Sequence, residues 1–264
     1  MNAVRGYATV SFGQVHYRFA GTPGKPVLVL LHQTPSTSAM YEDLMTALAA
    51  DYRMFAPDTP GMGMSDAPEG DLSIARLAAG LSEFLDEVGI ERCFLFGHHT
   101  GAAIAAELAA MHANRFDAVA LSGPTLLSEN LKVRLPEMSS AFAVREDGSH
   151  LSDMWMRIRD KDRNAPTSIS MRETLNGIML GEDYPAAYDA VIDHDMAAAL
   201  TSLGCPALVF AGTDDVLHGQ LDAAMNLLSQ GRKHEVAGAK TFVCETHCAE
   251  VAGLLRDFFG TEAA

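Results

Sequence analysis

Two adjacent histidines, His98 and His99, stand between Gly97 and Gly101, directly after the apolar run Cys93-Phe94-Leu95-Phe96. A short apolar run of this kind reads as a strand buried on both faces, and the paired glycines mark a turn too tight for side chains. Imidazole exchanges protons near neutral pH, so a histidine held on such a turn is a candidate base or acid. A second apolar run, residues 206–211, leads into Gly212-Thr213-Asp214-Asp215, which sets carboxylates at another strand end. A carboxylate beside an imidazole stabilises its charged form and fixes which nitrogen is free. Two further polar clusters have the same setting. His32-Gln33-Thr34-Pro35-Ser36 follows the run at 26–31, and the segment from Thr241 to His247 precedes the last helical stretch.

The elements that must carry these groups alternate in type. Residues 7–12 and 15–19 alternate in polarity around Gly13-Gln14, which predicts a hairpin turned at those two residues. Strands follow at 26–31, 53–57, 93–96, 118–122 and 206–211, with His234-Glu235-Val236 as the last. Helices are expected at 39–50, from the N-cap Ser73 to about 88, at 102–111, 219–228 and 249–259. Strands interleaved with helices imply a mostly parallel central sheet with helices on both faces, an α/β fold. In such sheets the reacting groups gather at the carboxyl ends of the strands, where all four clusters fall. From 125 to 199 the strands stop and charged helical stretches such as 153–159 appear. The expected organisation is a core of 1–124 and 200–264 with a helical lid, or cap, inserted at 125–199.

Composition sets the outer bounds. The chain has 264 residues, 48% hydrophobic and 20% charged, with a formal charge of −15. That size and balance suit one globular core. A strongly acidic surface repels phosphate backbones, so no nucleic-acid partner is expected. The longest apolar runs are too short to span a bilayer, so no membrane partner is expected either. Met1-Asn2-Ala3-Val4-Arg5 lacks the basic start and apolar stretch of an export signal. Cys93, Cys205, Cys244 and Cys248 then read as reduced thiols in a cytoplasmic protein. The oligomeric state stays open, a homodimer being one outcome.

The order of these clusters resembles the α/β-hydrolase fold family, and the resemblance covers nearly the whole chain. His32-Gln33-Thr34-Pro35 is similar to the family's oxyanion loop, and Asp58-Thr59-Pro60-Gly61-Met62-Gly63-Met64-Ser65-Asp66 to its Asp-x-Pro-Gly-x-Gly-x-Ser segment. Gly97-His98-His99-Thr100-Gly101 matches the nucleophile elbow, Gly-x-nucleophile-x-Gly. The chain departs from the pattern twice. His99 stands where the family places its serine. Thr241 stands where its histidine is expected, with His247 six residues further on as a substitute if the loop folds differently. The acid position falls on Asp215, with Asp214 as a neighbouring alternative. By the same resemblance, backbone N–H groups of Thr100 and of the loop near Gln33 would form an oxyanion hole.

A serine mechanism therefore cannot be inherited from the fold. The two departures fit together, because an elbow imidazole reaches further than a hydroxyl and can enter the space that the usual histidine fills. This predicts a hydrogen bond between His99 and Asp215, with Thr241 lining the vacated volume. Such a pair could activate water for hydrolysis, move a proton on a carbon acid as in C–C lyase or cofactor-free oxygenase chemistry, or attack as a nucleophile. Alternatively, Thr241 is the nucleophile and His99 its base. A non-catalytic ligand-binding protein on the same scaffold is the other class of reading, since histidine tolerates strained backbone. His32, His98, His99, His218 and Asp215 all sit on loops of the active edge, yet adjacent elbow histidines should point apart, so no metal and no cofactor is expected. The expected partner is a small carbonyl-containing substrate. Its binding residues would be His32, Gln33, Thr34, His98 and Thr100, with Trp155 and the methionines Met138, Met154, Met156, Met171 and Met179 beside Phe142 on the lid.

Overall fold

The computed structural model describes residues 3–262, so the N-terminal Met1 and Asn2 of the export-signal reading lie outside it. Eight strands form one sheet in the order β1-β2-β4-β3-β5-β6-β7-β8. The strands are β1 Val4–Val10, β2 Gly13–Gly21, β3 Val27–Leu31, β4 Arg53–Pro57, β5 Cys93–His98, β6 Phe116–Ser122, β7 Ala207–Gly212 and β8 Gly231–Val236. The pairings of β2 with β1 and with β4 are antiparallel, and all other pairings are parallel.

The helices are α1 Glu42–Leu48, α2 Ile74–Glu87, α3 Thr100–Met111, α4 Glu129–Met138, α5 Ser149–Lys161, α6 Thr167–Leu180, α7 Tyr184–Ile192, α8 Met196–Thr201, α9 Leu221–Leu227, α10 Val243–Thr246 and α11 Cys248–Glu262. Five of them, α4 to α8, lie between β6 and β7. Every residue of β5 and β7 is buried, as continuous apolar runs require when helices cover both faces. One core layer packs α2 and α3 on the sheet through residues such as Leu77, Leu81, Phe84 and Ile104. The other packs α1 and α11 through Leu44, Met45, Leu255 and Phe258. Met154, Ile158, Ile169 and Tyr184 make a smaller cluster of their own within the inserted helices, closed by Phe242 from the core.

Several boundaries differ from the sequence reading for physical reasons. The first hairpin turns at Ser11-Phe12, not at Gly13-Gln14, because Val10 pairs with Gly13 and the glycine opens the second strand. The last strand extends back to Gly231, since pairing with β7 from Ala207 onward orders polar residues that carry no apolar signal. The helix expected at 39–50 begins as a 3-10 turn, Ser38–Tyr41, capped by Thr37. The Gly97–Gly101 turn shrinks to a single residue, because β5 runs to His98 and α3 starts at Thr100. The C-terminal end of α7 and the start of α8 pack into the main core through Val191, Met196 and Ala199, although these residues lie within 125–199.

Strand order places the site. From β3 the chain moves to one side, to β4, and from β5 to the other, to β6. The loops leaving these two neighbouring strands therefore diverge and leave a crevice at their carboxyl ends. Register sets Leu31 beside Gly97 and His98 beside Ser122, so the loop after β3 and the elbow after β5 face one another.

Candidate active site

His99 has φ 50° and ψ −111°, the one positive-φ non-glycine residue among those described. Such backbone costs about 1–3 kcal/mol and persists only where the surroundings impose it. Two glycines do so. A Cβ on Gly97 would overlap the Gly101 backbone, and one on Gly101 would overlap the Leu31 carbonyl, so the helix start packs directly on both strands. The turn lifts the His99 side chain out of the sheet at the first turn of α3. The N–H groups of Thr100 and Gly101 then begin the helix, where no intrahelical acceptor exists.

The imidazole of His99 lies over Gly123, whose φ is +59°. A Cβ at that position would overlap Cδ2 and stand 2.7 Å from Nε2 of His99. The space for the ring thus depends on a glycine at the end of β6. Beyond it, Nε2–H of His99 donates to Oδ2 of Asp215 at 3.0 Å. The other oxygen, Oδ1, accepts from the Leu217 amide at 2.8 Å. The Asp215 side chain is 2% exposed and that of His99 14%. Burial alone would push the Asp215 carboxyl up; the imidazole and the Leu217 amide overcome it and hold the group at about 2. The carboxylate is therefore ionised at neutral pH. With Nε2 engaged, Nδ1 is the His99 nitrogen whose lone pair is left for chemistry.

His98 points the other way. Its Nε2–H donates to the Thr241 carbonyl at 2.7 Å, and the Ser122 hydroxyl donates to its Nδ1 at 2.9 Å. These partners suit the neutral form, and burial selects it. Burial, with the neighbouring His99, pushes the His98 imidazole down to about 3. The two rings lie 4.2 Å apart, so a second positive charge here would be opposed by the first.

A cavity of about 430 Å³ opens over the pair. Its polar wall includes Thr34, His99, Thr100, Tyr188 and Thr241, and its apolar wall includes Leu127, Leu131, Leu135, Met138, Val191 and Leu217. The structure thus brings together His99, Asp215, Thr241, Thr34 and Thr100. It does not bring His247 to Asp215: that residue joins α10 to α11 and pairs through Nδ1 with the Thr246 hydroxyl.

Four expected binding residues do not line the cavity. His32 is 1% exposed, donating from Nδ1 to the Gln33 carbonyl and accepting the Thr59 amide at Nε2, so it ties the loop after β3 to the loop after β4. Burial pushes its imidazole below the ordinary value. Gln33 is 2% exposed, and His98 is buried beneath the elbow. Trp155 fails for a helical reason. Arg157, Asp160 and Lys161 share the cavity face of α5, and a residue two positions before Arg157 projects from the opposite side. Of the methionines expected to contribute, only Met138 lines the cavity; Met154 packs in the small cluster with Ile158, Ile169 and Tyr184, while Met156, Met171 and Met179 are exposed.

Sequence reasoning missed three features: Gly123, Tyr188 and a buried ionic cluster. In the sequence, Gly123 does no more than follow the strand at 118–122. Tyr188 donates to the Thr34 carbonyl at 3.3 Å and so joins α7 to the loop after β3. Ser36 donates to Glu173 at 2.9 Å, and Arg172 bridges Glu173 to Glu245 with two bonds to the latter at 2.8 and 2.7 Å. No local pattern marks these contacts, because their partners are far apart in the chain. Among the described residues no three His, Cys, Asp or Glu side chains converge as metal ligands.

The profile of the alpha/beta hydrolase fold matches residues 26–247, so the chain belongs to the α/β-hydrolase fold family. It is 34% identical over 175 residues to "Epoxide hydrolase A" of Mycobacterium tuberculosis, covering 64% of this chain and 53% of that protein. It is 37% identical over 112 residues to "Haloalkane dehalogenase 2" of the same species, covering 42% of this chain and 38% of the other. The match spans about half the length of the first of these relatives and less of the second. Among solved structures, the enol-lactonase of Burkholderia xenovorans LB400 superposes with a TM-score of 0.83 at 25% identity, over 97% of this chain and 100% of that one.

Proposed function

We propose that this chain is a hydrolase in which the His99–Asp215 pair, in place of a serine nucleophile, works as general base and then general acid on a small carbonyl substrate. The observation that carries the reading is the 3.0 Å contact between Nε2 and Oδ2 beside a cavity that His99 lines. Nδ1 takes a proton from a water molecule as its oxygen adds to the carbonyl. The imidazolium is stabilised by Asp215, which stays ionised. The Thr100 N–H at the start of α3 faces the developing oxyanion. The proton then passes from Nδ1 to the leaving oxygen, and an acid and an alcohol result. Thr241 lines the volume beside the ring rather than completing a triad. One relative carries the name of an epoxide hydrolase, which favours hydrolysis over other uses of the pair.

The test is turnover of a panel of p-nitrophenyl and lactone esters, with labelling by a fluorophosphonate probe. The expected result is turnover without labelling, reduced about 10³-fold or more in His99→Ala, as for removal of a catalytic base. Labelling of a serine, or wild-type turnover in His99→Ala, overturns the proposal. If no ester turns over, a deuterium-exchange arm on ketone carbon acids tests the lyase use of the same pair. Failure of both arms leaves the ligand-binding reading in its place.

A further inference from the structure

Two of the residues that line the cavity carry positive charge. Arg157 and Lys161, one turn apart on α5, both line it and both are half-buried. The chain carries 34 acidic against 19 basic residues, yet among the described residues neither of these two pairs with a carboxylate. Their partners are neutral. Arg157 donates to the Ser140 carbonyl at 2.8 Å and lies over the Tyr184 ring at 5.4 Å. Lys161 donates to the Tyr188 hydroxyl at 3.3 Å. That hydroxyl in turn donates to the Thr34 carbonyl, so Lys161 stands two hydrogen bonds from the loop that faces the elbow.

The carboxylates at this cavity are placed differently. Glu137, Asp160 and Asp214 line it but are exposed, and Asp160 is paired with Arg163 at 2.6 Å. Solvent screens them at the mouth, while the half-buried cations keep more of their field. Two half-buried cations with neutral partners, beside exposed carboxylates, favour a monoanion over a dianion. Arg and Lys donors engage such a group through charge-assisted hydrogen bonds.

We propose that the substrate carries a carboxylate on a short apolar body, held by Lys161 and Arg157 while its carbonyl lies at His99. The assignment of the reacting end rests on the proposed function; the carboxylate site does not. The apolar body fills the wall made by Leu131, Leu135 and Met138. Lys161 acts with Tyr188, so an anion bound there also bears on the placing of the Thr34 loop.

The test measures binding by isothermal titration calorimetry to the full chain. The probes are straight-chain and aryl carboxylates of four to ten carbons, among them 3-benzoylpropanoate, their neutral primary amides, and phenyl phosphate. The expected result is that the best carboxylate binds at least about 10-fold more tightly than its amide and more tightly than phenyl phosphate, as a charge-assisted contact implies. Lys161→Met and Arg157→Met each remove most of that preference. His99→Ala keeps it, so loss of turnover with retained preference separates failure of the catalytic reading from failure of this one. Equal binding of acids and amides by the wild-type protein overturns the proposal, as does an unchanged preference in the Lys161→Met, Arg157→Met double variant. Tighter binding of phenyl phosphate replaces the carboxylate with a phosphate ester. Circular dichroism of each variant checks that the lid is folded.

Discussion

His98 is buried as a neutral imidazole, and this has a measurable cost in acid. Its ordinary value is 6.5, and in the fold it is pushed down to about 3. Below pH 6.5 the unfolded chain takes up a proton at this position and the native one does not, so stability falls with pH until the native group also titrates near 3. By pH 4.5 the loss from His98 alone is about 3 kcal/mol, and below pH 3 it approaches roughly 5 kcal/mol. His32 shifts in the same direction and adds to the loss. Asp215 has the opposite window: its native value of about 2 lies below 3.8, so its contribution is intact above 3.8 and is lost as pH falls through 2. The interval from pH 7.5 to 4.5 therefore leaves Asp215 out, and comparison with a His98 variant separates His98 from other groups that titrate there, among them Glu245, whose carboxyl burial pushes up. His98→Gln removes the titrating group while an amide still donates to the Thr241 carbonyl and accepts from Ser122. Urea unfolding followed by circular dichroism at several pH values should show a wild-type loss of at least about 3 kcal/mol over that interval, and a loss smaller by about 3 kcal/mol in the variant. An equal loss in both proteins would refute the assignment of a neutral, buried His98.

Three other perturbations probe the site and its supports. Asp215→Asn keeps the shape but lets an amide face Nε2, which favours the wrong tautomer; kcat on any ester substrate should fall by about 10³–10⁴-fold with the far-ultraviolet spectrum unchanged. Gly123→Ala forces a Cβ into the His99 ring and a side chain at φ +59°. It should cost about 1–2 kcal/mol in stability and lower turnover more than thermal unfolding explains, and a crystal structure should show the imidazole displaced from Asp215. Arg172→Met leaves the Glu173 and Glu245 carboxylates, 1% and 9% exposed, without their cation. The expected loss is about 3–5 kcal/mol by urea unfolding, and Glu245→Gln, which keeps a hydrogen-bond acceptor, should cost less.

Much of the frame was legible from local pattern. Apolar runs such as 27–31 and 207–212 had to be buried strands because no polar side chain interrupts them. Gly97 and Gly101 marked the elbow because only glycine permits such close packing of strand, turn and helix. The spacing Gly212-x-x-Asp215 put the acid at the end of β7. Element ends were less legible. The 11–12 turn and the start of β8 depend on partner strands, which outweigh local preference.

The sequence by itself determined the sheet, the elbow with an imidazole on it, and the carboxylate at the end of another strand, because each follows from short-range sterics and apolar periodicity. The elbow pattern already favoured His99 as the partner of that carboxylate, with His247 as the alternative; the tertiary structure decided how that choice is enforced. His98, His99 and His247 are equal as residue types, but φ at the elbow, the space over Gly123 and the β5–β6 register send only His99 to Asp215. The cavity wall, by contrast, was out of reach. Lys161, Tyr188 and Thr34 meet across as many as 154 positions of chain, and their contact exists only once α5 and α7 are packed beside the loop after β3.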